Sequence, residues 1–125
     1  MDQRNLDLAK TLVQYSCDVQ KGEKVLIHSI GAKPEELVRA IIKEVYKRGG
    51  LPFIEHTNVK IQREILMNCS QEQLELMASV DCARMSEMSC YIGIRGSDNV
   101  SELADVPSEK MKLYDKYYTE PVHHG

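Results

Sequence analysis

The side chains able to do chemistry cluster at three places in this sequence: His28 and Ser29, Glu55 and His56, and Arg95 to Asp98 with Gly96 and Ser97 between them. Two imidazoles and two carboxylates gathered at one rim would bind a metal ion or pass protons. On that reading Glu55, His56 and Asp98 are the candidate ligand-binding residues. Against it stands their order. Glu55 and His56 are neighbours, and an extended strand sends neighbours to opposite faces. Polar residues at strand ends also serve ordinary hydrogen bonding in any α/β fold. No residue of the chain is therefore given a catalytic or a metal-binding role from its own pattern.

Other constellations carry less. Gly93-Ile94-Arg95-Gly96 has the GXXG spacing with which KH domains grip a nucleic-acid backbone, but Tyr91, Ile92 and Ile94 read as strand and Asp98 would repel phosphate. Neither a GxGxxG nor a GxxxxGK[ST] phosphate loop occurs. His123 and His124 have no third ligand at a suitable spacing. Met67, Met77, Met85 and Met88 fall at helical positions and read as core filler. Cys17, Cys69, Cys82 and Cys90 are 52, 13 and 8 residues apart, which fits neither a CxxC pair nor a zinc pattern, so they are expected as buried thiols.

The elements that must position these groups are read from periodicity. Leu6, Ala9, Leu12, Val13 and Cys17 make one apolar stripe, so a helix is expected over Leu6 to Val19, stopped by Gly22. Lys24 to Ile30, with Val25, Leu26 and Ile27 in succession, predicts a strand covered on both faces. Pro34, Glu35 and Glu36 open a helix whose stripe is Leu37, Val38, Ile41, Ile42 and Val45; Lys47, Arg48 and Gly49-Gly50 close it. Pro52 to Thr57 predicts a second strand, with Pro52 at its first residue.

Asn58 caps a short helix to about Met67 that would turn Ile61, Ile65 and Leu66 inward. Ser70 with Gln73 is a capping box, and the helix it opens should bury Leu74 and Met77 and break near Asp81. Cys90 to Arg95 predicts the third strand. Ser108 to Tyr118 predicts the last helix, closed by Pro121. Helices and strands alternate, which predicts an α/β fold: a three-layer α/β/α domain with a small, mainly parallel sheet of at least three strands and helices on both faces. The first strand is expected in the centre, between the second and the third.

With 125 residues, the chain has room for one such domain, 1–125. A net charge of -3, spread without blocks of one sign, argues against electrostatic capture of nucleic acid or a lipid surface. The start Met1-Asp2-Gln3-Arg4 lacks a signal peptide's apolar stretch, and no apolar run spans a membrane, so a cytoplasmic location is expected. The chain stops at His123-His124-Gly125 as though heading into another strand, which suits a piece of a longer protein.

Three stretches together resemble one family. Leu8 to Ser16 with Val19 to Ile27, Leu37 to Pro52, and Ile92 to Gly96 with Asn99 to Leu103 and Ser108 to Lys110 are similar to the opening elements of the thermophilic metal-dependent aminopeptidases, family M29. The resemblance keeps the order of elements over nearly the whole chain. It implies an N-terminal, non-catalytic domain of an enzyme that releases N-terminal amino acids from peptides. It also implies a homodimer, and a C-terminal catalytic domain, absent here, that binds two divalent metal ions: zinc, cobalt or manganese. No cofactor is then expected within this chain. The alternative is a stand-alone small-ligand-binding α/β domain that uses the rim around Glu55, His56 and Asp98.

Overall fold

The computed structural model describes residues 2–31, 35–96 and 103–123. They form two compact units, one from the described residues of Met1–Thr57 and Met88–Ser97, the other from those of Asn58–Glu87 and Asp98–Gly125.

The first unit is a parallel α/β layer pair. Helix α1, Gln3–Thr11, begins at Asp2, whose carboxylate accepts from the Arg4 N–H, and it buries Ala9. A π-helical turn over Leu12–Ser16 continues it and buries Val13. The helix thus ends three residues before the expected Val19. The cause lies in Asp18, which turns the chain with φ +46 while the Arg48 guanidinium binds both its carboxylate and the Val19 carbonyl. The turn delivers Val19 into the core instead of onto a helix face.

Strand β1, Lys24–Ile30, has Val25, Leu26 and Ile27 buried in succession, as an apolar run facing both ways requires. Helix α2, Glu35–Lys47, buries Ala40, Ile41 and Val45. It ends as its Gly-Gly pair demands: Gly49 takes φ +79, its N–H donates to Tyr46 O, and the Gly50 N–H donates to Val45 O. Strands β2, Leu51–Thr57, and β3, Cys90–Arg95, flank β1 in the order β2-β1-β3, all parallel. The central place expected for the first strand is the one it occupies. Ala9, Val13, Val25, Ile27, Ile41, Val45 and Ile92 pack together as the core between α1, α2 and one sheet face.

The second unit is helical: α3, Val59–Met67; α4, Gln71–Ser86; α5, Ser108–Tyr114; a π-helical turn over Asp115–Thr119; and α6, Glu120–His123. Both expected caps are present. The Asn58 carboxamide accepts from the Lys60 and Ile61 N–H groups, and Ser70 with Gln73 closes the capping box. Three expectations are corrected here. Ile61 and Ile65 are exposed, because the inward stripe of α3 runs through Val59 and Leu66, about half a helical turn away. No break occurs at Asp81: Tyr118 donates to its carboxylate and Arg84 lies 3.5 Å from it, so the side chain does not compete for the helix backbone. Pro121 does not end the last helical segment. It lies within α6, after a wider turn in which the Glu120 N–H reaches back to Asp115 O, a geometry that carries a helix past a residue lacking an N–H.

The expectation of four buried thiols also fails. Cys17 and Cys90 are joined in a disulfide, while Cys69 is a buried free thiol and Cys82 a half-buried one. Spacing could not show this, because the end of α1 and the start of β3 come together only through the sheet.

Candidate functional site

Parallel register places Glu55, His28 and Gly93 in one row across β2, β1 and β3. Period-two alternation adds Thr57 from β2 and Tyr91 from β3 to the same face. Gly93 is what allows the row to close. A Cβ there would lie 3.1 Å from Tyr91 Cε1, so the absent side chain leaves room for the Tyr91 ring to lean across toward His28.

His28 is the hub. Its Nδ1 lies 2.8 Å from the Tyr91 hydroxyl and 3.6 Å from Glu55 Oε2, and its Nε2 lies 2.7 Å from Thr57 Oγ1. Both hydroxyls can donate to a ring nitrogen or accept from a ring N–H, so the network is satisfied by either protonation state of the imidazole. Burial, then the Glu55 carboxylate, pushes the Tyr91 phenol up, and Arg95 opposes them. Tyr91 is therefore a neutral hydroxyl at physiological pH. The arrangement can hold a proton or a small polar group.

On the opposite sheet face, Ser29 Oγ is 2.7 Å from His56 Nδ1, with Ser29 only 5% exposed. The pair ties β1 to β2 at their carboxyl ends.

The expected rim cluster is thus divided. Glu55 and His56 face opposite ways, as their adjacency requires, and Asp98 lies outside the described residues, as do Ser97 and His124. Glu55 joins His28, and His56 joins Ser29. Sequence reasoning missed Tyr91, Thr57 and Gly93. Alternation alone puts Thr57 on the Glu55 face, but the approach of Tyr91 to His28 depends on the register between β1 and β3, which no local signal carries.

The model of the family described as "Thermophilic metalloprotease (M29)" matches residues 1–123. The chain belongs to the M29 family. Among solved structures, wild-type AmpT from Thermus thermophilus is similar to it with a TM-score of 0.71 and 21% identity, over 96% of this chain. This M29 chain spans 31% of the length of that protein. No curated protein matches it.

Membership makes the family's metal chemistry a question for these residues. Among the described residues of the M29 chain no three His, Cys, Asp or Glu side chains gather to hold a metal ion. His28 and Glu55 come nearest, but both His28 nitrogens are at hydrogen-bonding distance from hydroxyls, and no third His, Cys, Asp or Glu side chain among the described residues joins the pair. The described residues do not fit a metal centre, and no metal-dependent step is derived from them. Among them, no helix of this M29 chain is long and apolar enough to cross a membrane.

Proposed function

We propose that this chain is the N-terminal, non-catalytic domain of a metal-dependent aminopeptidase that releases N-terminal amino acids from peptides. The observation that carries the reading is the family match over 1–123, taken with a span of 31% of AmpT. Metal binding and bond cleavage then belong to a C-terminal domain supplied by the longer protein, which acts in the cytoplasm as a homodimer and binds zinc, cobalt or manganese. The part assigned to this chain is one wall of the substrate cavity, on a parallel sheet whose strands are tied together by the His28 network and the Ser29–His56 pair.

The test is aminopeptidase activity of the chain on a panel of amino-acid amides with zinc, cobalt or manganese added, together with metal analysis of the purified chain. The expected result is no turnover and no stoichiometric metal. Turnover with bound metal would overturn the non-catalytic role.

A further inference from the structure

We propose that Cys17 and Cys90 form a reversible redox staple that fixes the start of β3 and, through it, the Tyr91 hydroxyl on His28. The inference does not depend on the aminopeptidase reading.

The disulfide joins positions 73 residues apart, with Cα atoms 6.2 Å from each other. Cys17 directly follows the π-helical turn, and its N–H remains bonded to Leu12 O. Asp18 and Arg48 fix the chain just beyond it: Asp18 sits in the left-handed region, with the Arg48 guanidinium 2.9 Å from its carboxylate. Cys17 is therefore presented from a rigid corner. Cys90 is the first residue of β3, an edge strand that pairs with β1 alone among the described residues. The staple thus acts where the strand has backbone support on one side only.

The next residue is Tyr91, whose ring leans over Gly93 to put its hydroxyl 2.8 Å from His28 Nδ1. A shift at the start of β3 moves that hydroxyl directly. The other two cysteines belong to the second unit, where the Cys69 and Cys82 thiols point at the Lys110 and Pro121 carbonyl oxygens.

Cys17 and Cys90 are both half-buried at the margin of the core rather than sealed inside it. Formation uses a low-molecular-weight disulfide, such as oxidised glutathione, as the oxidant. One cysteine thiolate attacks it and releases one small thiolate, leaving a mixed disulfide. The second cysteine thiolate then attacks the protein sulfur of that mixed disulfide and expels the other small thiolate. Two electrons pass from the cysteines to the small disulfide, and the two cysteine protons end on the two released thiols. Reduction is the same sequence reversed.

The experiment uses the whole chain, first incubated with oxidised glutathione and then freed of it. Titration with Ellman's reagent in guanidinium should find two thiols, rising to four after reduction, and mass spectrometry of a non-reducing digest should find the peptides of Cys17 and Cys90 linked. Reduction should lower Tm by roughly 10 °C, the scale expected for opening a loop of this length. It should also shift the His28 imidazole signals in a long-range ¹H–¹⁵N spectrum. The Cys17→Ser/Cys90→Ser double variant should show neither response to reductant. The oxidised and reduced parent chain supply the same comparison if that variant does not fold. Four thiols after oxidation, a different linked pair, or an unchanged Tm on reduction would overturn the staple. A Tm change with unmoved His28 signals would overturn its link to Tyr91.

Discussion

Among the described residues His28 makes three polar approaches, and they come from two sources of order. Thr57 and Glu55 reach it because β2 lies in register beside β1, while Tyr91 reaches it because residue 93 has no side chain. Replacing Gly93 with valine should push the Tyr91 ring away and cost about 1–3 kcal/mol, read by urea unfolding. The same substitution in a Tyr91→Ala background should cost markedly less, since the ring it displaces is gone; equal costs in the two backgrounds would show that Gly93 serves some other purpose. A second titratable hydroxyl, Tyr114, lies in the helical unit, where burial above all pushes its pKa from 10.0 up to about 12. Because the folded value exceeds the unfolded one, the stability it contributes is complete below pH 10 and is lost as pH rises through about 12. Unfolding in urea at rising alkaline pH should therefore show a loss on the order of 2 kcal/mol that Tyr114→Phe largely removes. A variant with the same alkaline slope as the parent would locate that loss elsewhere. Arg63 and Asp105 also pair in this unit, and the guanidinium holds the carboxyl below its usual range, but for a carboxylate at the surface this says little about stability.

At the level of elements, capping and periodicity proved to be separate signals. Asn58 and Ser70 each start the helix that their side-chain chemistry anticipates, since a cap acts on the backbone within a few residues. Of the stripe expected on α3, Leu66 is buried while Ile61 and Ile65 are exposed, because several apolar positions satisfy helical spacing and only packing selects Val59 and Leu66 as the inward pair. Ile41→Ala, in the core on α2, should cost about 2–5 kcal/mol, whereas Ile61→Ala should stay within about 0.5 kcal/mol. Chemical denaturation of both variants is the check, and similar costs would mean that Ile61 is covered in the folded protein. The length of α4 makes the same point: Asp81 reads as a break until Tyr118, 37 residues away, takes its carboxylate.

For the whole molecule, the parallel sheet leaves β2 at an edge, and the sequence carries a device that blunts it. Leu51 N–H donates to Glu23 O and Thr57 O accepts from Gly31 N–H, so the odd-numbered residues of β2 turn their backbone groups toward β1. The even-numbered ones, Pro52, Ile54 and His56, turn theirs away, and Pro52 has no N–H to offer. Pro52→Thr supplies the missing donor on a strand whose Phe53 and Ile54 are exposed, and it should raise self-association in concentration-dependent light scattering. Scattering identical to that of the parent chain would show that Pro52 does not guard this edge. The sequence alone determined the order of elements, both caps, the Gly-Gly stop of α2 and the family, while the strand order β2-β1-β3 was fixed by the structure. The former follow from the backbone preferences of short segments or from patterns spread along the whole chain. The Cys17–Cys90 bond, the Tyr91–His28 contact, the inward face of α3 and the passage of a helix through Pro121 were decided only by tertiary structure. Each depends on which distant residues the fold brings within a few ångströms, and residue spacing does not encode that.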